Sequence, residues 1–260
     1  MNDMVQAVVL GIVEGLTEFL PVSSTGHLLI VEHWLGKRSE LFNVAIQAGA
    51  ILAAVVVFWP RIRQLVLGFG LRDNRDYLAK LLFAFVISAA GGLAAKRLGV
   101  ALPETVAPVA GALLIGGLLI LLIEWRVSGR ELVTRLSWSV AFWVGAAQIL
   151  AAVFPGTSRS AATIFAAMLA GMTSRPAATE FAFLVGIPTM FAATGYEFMK
   201  LQGSAPMNED WSALLVAFPV AAVVAFVAVK WLLHYIQTHR FTVFAWYRIA
   251  AGLVLFLVAR

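Results

Sequence analysis

EGLTEFLPVSSTGH, residues 14–27, lies inside an apolar run and yet carries two carboxylates, Glu14 and Glu18, a row of hydroxyls at Ser23, Ser24 and Thr25, and the His27 imidazole. Such groups are unfavourable in hydrocarbon, so a cluster of them within a membrane segment marks a functional site by default. The same stretch decides the fold. A helix predicted over residues 4–20 is interrupted by Pro21 and the small polar residues behind it, and a short helix follows over 27–35, ending at Gly36-Lys37-Arg38. Neither half reaches the ~20 residues that span a bilayer comfortably. A break between two short apolar helices predicts a re-entrant hairpin over 4–36, which is tolerated at membrane depth only where protein or a cavity covers the exposed backbone.

The rest of the chain supports a membrane setting. Of 260 residues, 61% are hydrophobic and 13% charged, against roughly half and a quarter in soluble domains. The net charge is +5, but the basic residues sit in connecting loops, without the basic stripe and interleaved aromatics of a nucleic-acid binder. No nucleic-acid partner is expected, and the loop charges read as topology signals. The absence of cysteine excludes disulfides, thiolate nucleophiles and Cys-bound metal. The N-terminus lacks a basic n-region and holds Glu14 in its apolar run, so it reads as a mature helix and not a cleaved signal.

Further helices are predicted over 41–59 (closed by Pro60), 78–95, 106–124, 179–198, 211–233 and 241–259, giving six spans. A second broken pair, 138–154 and 160–171, predicts another hairpin over 138–172 around Pro155-Gly156. The two hairpins align. VVLGIVEGLTEFLPVSSTGHLLI (8–30) matches FWVGAAQILAAVFPGTSRSAATI (142–164) without a gap, setting Gly11 on Gly145, Glu14 on Gln148, Pro21 on Pro155 and Ser24 on Ser158. Paired broken segments in two halves point to a binding site between them. The chain therefore reads as a single all-α polytopic membrane domain over 1–260, built from repeats at 1–124 and 125–260. Three spans lie between the hairpins, so the hairpins enter from opposite faces and the repeat is inverted. Loops at 60–77, 125–137 and 234–240 share one side with Arg175, and those at 37–40, 96–104 and 200–210 share the other. The first set holds more Lys and Arg and is assigned to the cytoplasm.

Glu14 and Glu18 are four residues apart and stack on one helix face. Two ionised carboxylates there repel unless a cation lies between them or one is protonated. A hard divalent metal, Mg²⁺ or Ca²⁺, suits such oxygen ligands; the alternatives are a proton-relay pair or a structural ion pair with Arg159. Ser23, Ser24 and Thr25 stand where a helix restarts, with His27 in its first turn, and a helix N-terminus favours phosphate. Gly156, Thr157, Ser158, Arg159, Ser160 and, one turn on, Thr163 offer the second arm the same helix start plus a guanidinium that can fork onto phosphate oxygens. One arm is acidic and the other basic, as a metal-bound phosphate ester requires. Membrane Ser and Thr also bond their own backbone, which would make many of these hydroxyls structural. His33, His234 and His239 read as interfacial, and Trp59, Trp125, Trp138, Trp211 and Trp246 as interface anchors. Glu32, Glu40 and Glu124 read as solvated ends, and Arg248 and Glu197 as structural pairs near helix ends.

These residues resemble the undecaprenyl-diphosphate phosphatase family of bacteria, the bacitracin-resistance type. EGLTEFLPVSSTGH and PGTSRSAAT stand where that family has its two signature motifs, and FNVAIQAGAILAAVVVFW (42–59), EFAFLVGIPTM (180–190) and FTVFAWYRIAAGL (241–253) resemble it at three further places. Ala161 departs from the glycine usual after Ser-Arg-Ser. The resemblance implies hydrolysis of a long-chain polyprenyl diphosphate, with a divalent metal, in the bacterial cytoplasmic (inner) membrane, from a site facing the periplasm, and resistance to bacitracin when abundant. It also implies that Glu14 and Glu18 form the acidic motif and ligate the metal, that His27 is essential, that Ser24 stands beside it, and that Arg159 binds phosphate. The diphosphate would then lie between the arms, on Ser23, Thr25, Gly156, Thr157, Ser158, Arg159, Ser160 and Thr163. The attacking group is Ser24, His27 or a water. Ser24 with His27 as general base is preferred, because a hydroxyl needs an adjacent base. Inverted repeats with broken helices are also a transporter design, so a polyprenyl-phosphate flippase is the competing class, and a packing scaffold is a third. A homodimer is compatible with the sequence.

Overall fold

The computed structural model describes residues 2–100, 105–202 and 210–258. Among them the chain forms ten helices and no strand: α1 (Asp3–Thr17), α2 (Ser24–Leu35), α3 (Glu40–Leu67), α4 (Arg72–Arg97), α5 (Val106–Val127), α6 (Trp138–Val153), α7 (Arg159–Leu169), α8 (Arg175–Gln202), α9 (Trp211–Tyr235) and α10 (Thr242–Val258). Five of them, α3, α4, α5, α8 and α9, are long and apolar enough to cross a membrane. The predicted sixth span, α10, falls among the shorter apolar helices with α6 and α7. The protein is an all-α, multi-pass membrane protein. Residues 101–104 and 203–209 of two predicted loops, and Ala259, lie outside the described residues.

Both predicted breaks are present, and proline chemistry sets where each begins. α1 ends at Thr17 and not at 20, because a proline ring clashes with the carbonyl four residues before it, and four before Pro21 is Thr17. α6 ends at Val153; Phe154, the residue ahead of Pro155, is held extended at φ −111° and ψ 96°, as a pre-proline residue prefers. Each restart is capped by a serine, whose side-chain oxygen satisfies a free helix N–H. Ser23 Oγ accepts from Gly26 N–H, and Ser158 Oγ accepts from Ala161 N–H, both at 3.3 Å. Ser23 (φ 76°) and Ser158 (φ 69°) are the two non-glycine residues with positive φ among those described. The caps pair Ser23 with Ser158, one residue out of register with the ungapped sequence match, which paired Ser24 with Ser158.

Proline does not end every helix. The prediction closed a span at Pro60, but α3 continues to Leu67 with Pro60 inside it. A proline removes one intrahelical bond, and the turns beyond it are held from outside. Leu65 is buried in the main core with Ile62 packed against it, and Arg61 bonds Glu180 at 2.9 Å and lies 4.8 Å over the Tyr77 ring. The predicted loop over 60–77 therefore shrinks to residues 68–71.

α1 lies on α9 and α6 lies on α4, while α3 packs on both α9 and α8, and α5 on α10. Glycines permit the first two of these approaches. A Cβ at Gly15 would stand 2.5 Å from the Ala221 carbonyl, and one at Gly145 would stand 2.7 Å from the Ala84 carbonyl. Phe19, Leu20 and Val22 of the first break share one core with Ala161, Ile164 and Phe165 of α7. Phe19 meets Phe183 of α8 edge to face at 5.2 Å. The break is thus lined by protein, as unpaired backbone at membrane depth requires. The arms are unequal: seven residues of α7 are buried but only Gly26 of α2.

Candidate active site

Glu18 joins the two arms. It follows the last turn of α1 as its C-cap, with its N–H on the Glu14 carbonyl at 3.0 Å. Its Oε2 accepts from Ser24 Oγ at 2.5 Å, and its Oε1 lies 3.7 Å from Arg159 Nη2. Ser24 and Arg159 are the first residues of α2 and α7. One carboxylate therefore holds the same position of both arms, through a hydroxyl on one side and a guanidinium on the other. Glu14, one turn back and 2% exposed, lies against Glu18. Both carboxylates are buried, where an unpaired charge is strongly unfavourable, and Arg159 supplies one compensating charge, to Glu18.

Backbone contacts draw the arms together behind this centre. Ser160 Oγ donates to the Leu20 carbonyl at 2.9 Å and lies 3.0 Å from Ser158 Oγ. Thr163 Oγ1 donates back to the Arg159 and Ser160 carbonyls, so its hydroxyl steadies the first turn of α7. Gly156, at φ +86°, comes so near α5 that a Cβ there would stand 2.9 Å from Val109 Cα. Thr25 and Thr157 flank the two caps, half-buried. Glu14, Glu18, Ser24, Arg159, Ser158, Ser160 and Thr163 thus converge.

His27 faces elsewhere. Its Nδ1 lies 2.7 Å from the Ser23 carbonyl and its Nε2 lies 2.6 Å from Tyr247 Oη, with the two rings stacked at 5.5 Å. A carbonyl only accepts, so the neutral ring carries its proton on Nδ1 and accepts from Tyr247 at Nε2. No hydrogen bond joins His27 to Ser24 or to either glutamate among the described residues. The acceptor that Ser24 meets is Glu18.

Two residues were misread from sequence. Arg248 is not one of a pair near a helix end; it is fully buried and forks onto three carbonyls, Pro21 at 3.3 Å, Ala112 at 2.9 Å and Gly156 at 3.1 Å. It ties both breaks to α5. The signal was present: an arginine within an apolar helix with no acid beside it points inward to backbone oxygens. Glu124 is not a solvated end. It is 1% exposed, pairs with Arg175, and accepts from Phe241 N–H at 2.9 Å. Position at a helix terminus misled, because α5 runs on to Val127 and its end is packed inside. Glu197, by contrast, does pair, with Lys96.

Gln148 on α6, aligned in sequence with Glu14, was given no site role from sequence. It is 6% exposed, accepts from Thr189 Oγ1 at 2.7 Å, and leaves its Nε2 without a partner. Beside it and Arg159 a cavity of about 540 Å³ runs between α4, α6 and α8 toward Lys96, Tyr196 and Glu197.

Glu14 and Glu18 have no third His, Cys, Asp or Glu beside them to complete a metal cage among the described residues. Two neighbouring carboxylates are nonetheless a donor set that suits Mg²⁺, which is bound by one or two carboxylates together with substrate phosphates and water. The residues fit a divalent cation shared with a phosphate ligand.

Residues 7–254 match the family model described as bacitracin resistance protein BacA. The chain is 57% identical over 254 residues to an undecaprenyl-diphosphatase of Rhizobium etli, covering 97% of this chain and 96% of that one. It is 56% identical over 261 residues to one of Stenotrophomonas maltophilia (99% and 98% covered), and 55% identical over 262 residues to one of Xanthomonas oryzae (99% and 97% covered).

Proposed function

The chain belongs to the BacA bacitracin resistance protein family, and from that premise we propose that it hydrolyses undecaprenyl diphosphate to undecaprenyl phosphate and inorganic phosphate. This recycles the lipid carrier for cell-wall synthesis and confers resistance to bacitracin. The observation that carries the reading is the bridge of Glu18 to Ser24 on one arm and Arg159 on the other. In this reading Ser24 is the nucleophile, Glu18 the proton acceptor and Arg159 the phosphate-binding cation, all within one partly buried place.

Phosphoryl transfer depends mainly on positioning and charge stabilisation. The terminal phosphate lies between the starts of α2 and α7, with Arg159 forked onto its oxygens. Ser24 Oγ attacks the terminal phosphorus, and its proton passes to Glu18 Oε2. The bond from that phosphorus to the bridging oxygen breaks, and undecaprenyl phosphate leaves with the electron pair. Water then cleaves the phosphoserine, releasing phosphate and restoring the hydroxyl. Glu14 and Glu18 would hold Mg²⁺ or Ca²⁺, which when bound neutralises charge on the diphosphate. His27, fixed by Ser23 and Tyr247, supports the first turn of α2 that carries Ser24.

The inverted duplication belongs to the same reading: six spans, with hairpins at 4–36 and 138–172. It is supported by the two equivalent serine caps and by the exchange of partners, α1 on α9 and α6 on α4. We place the protein in the bacterial inner membrane with the site facing the periplasm. The cavity beside Arg159 runs toward Lys96 and Glu197, at helix ends on the side opposite the arginine-rich loops.

Purified protein in detergent, given undecaprenyl diphosphate with Mg²⁺ or Ca²⁺, tests the proposal. Phosphate release that Arg159→Ala abolishes supports it. No release with either metal, together with passage of the lipid across vesicle membranes, would establish the transporter reading instead.

A further inference from the structure

The two sides of the site are not alike, although both helix restarts carry the same serine cap. On the α1 side, Gly11 and Gly15 bring α9 into direct backbone contact and leave no room. On the α6 side, the corresponding approach at Gly145 is followed by a widening, and the 540 Å³ cavity opens between α4, α6 and α8. Residues with little or no side chain, among them Gly92, Ala151, Ala192 and Ala193, make part of its walls. A Cβ added at Gly92 would meet nothing within 4 Å. Ala192 and Ala193 are exposed, so the cleft is open along its side.

The inner end is polar and incompletely satisfied. Gln148 Oε1 is taken by Thr189, which fixes the amide so that Nε2 is the free end. A buried amide nitrogen without an acceptor is unfavourable, and Gln148 lines the cleft together with Arg159. An N–H donor and a guanidinium at the closed end of an apolar cleft are the complement of a phosphate ester on a hydrocarbon chain.

We infer that this cleft binds the polyprenyl phosphate half of the substrate, with Gln148 Nε2 donating to an oxygen of the phosphate that stays on the lipid and the first isoprenoid units lying between α4, α6 and α8. The inference rests on the reading of the protein as a polyprenyl diphosphate hydrolase and deepens it: Arg159 serves the phosphate that leaves, Gln148 the one that remains. A cavity of this size falls in the range for small ligands, ~300–1,000 Å³. It takes the head of a long chain, and the rest of the tail continues through the open side into lipid.

Binding of the product, undecaprenyl phosphate, measured by native mass spectrometry on detergent-purified protein, tests this without relying on turnover. Phosphate release is measured in parallel. Gly92→Trp fills the cleft, and Gln148→Leu removes the donor at nearly constant volume. Gln148→Leu is expected to weaken product binding and raise KM about tenfold, the value of one hydrogen bond to a charged group, and Gly92→Trp, by excluding the chain, at least as much, with kcat changed far less. Val223→Trp, on an exposed position of α9, serves as control and should leave both unchanged. Wild-type product binding in folded Gly92→Trp and Gln148→Leu overturns the inference. Binding that is lost in both variants of a protein whose wild type releases no phosphate upholds the cleft and contradicts the hydrolase reading, so the two fail separately.

Discussion

Glu18 uses both oxygens of one carboxylate to hold the first residues of two helices that are far apart in sequence. If Ser24 is the nucleophile and Glu18 its proton acceptor, Ser24→Ala should lower kcat at least 10²-fold, the usual worth of general-base-assisted attack, with the protein still folded. Radiolabelled substrate quenched in detergent at neutral pH, where phosphoserine and phosphohistidine both survive, should leave label on Ser24 in the wild type. Label on His27 that survives in Ser24→Ala would assign attack to the imidazole. At this scale the sequence was most informative where residue type contradicted its setting. Glu14, Glu18 and Arg159 stand out as charges within apolar runs, and the structure brings them together. Gln148 did not stand out, because an amide carries no charge and its free Nε2 exists only once Thr189 has taken the oxygen. The partners of His27 were equally hidden, since Tyr247 is 220 residues away.

At the scale of elements, the two breaks are built alike from a proline, a strained serine cap and a restarted helix, and Arg248 on α10 locks them to each other. Its guanidinium reaches carbonyls of both breaks and of α5. Arg248→Lys keeps the charge but replaces a planar fork by a point donor, so it cannot serve all three oxygens. It should lower kcat by about 10²-fold, the effect of a roughly 1 Å misplacement, while changing KM little. Gly116→Ala should act in the same direction, since its Cβ would press within 2.2 Å of Arg248 Nη2. Unaltered kcat in both variants would mean the fork serves packing alone. The breaks themselves were legible, because proline next to small polar residues has a known local effect. Pro60, inside α3, was misjudged because local chemistry is overridden there by Leu65 in the core and by Arg61 against Glu180 and Tyr77.

Over the whole molecule, the number and order of apolar helices were legible from length and composition, and the pairing of α1 with α9 and α6 with α4 was not, because it depends on glycine contacts between distant helices. The proposed sidedness rests on the excess of Lys and Arg in one set of loops and can be measured directly, since the chain has no cysteine to remove. Lys37→Cys should react with an impermeant thiol reagent applied to intact spheroplasts, and Arg130→Cys should react only after lysis. The reverse pattern would turn the site toward the cytoplasm.

The central claim is that the two arms act as one site through Glu18. Residues that act as a unit lose activity non-additively, so a double-mutant cycle in kcat/KM for undecaprenyl diphosphate tests it most directly. Glu18→Gln and Arg159→Gln should each cause a large loss, and the double variant should lose little more than the worse single one. Losses that simply multiply would show two arms working independently and would contradict the account.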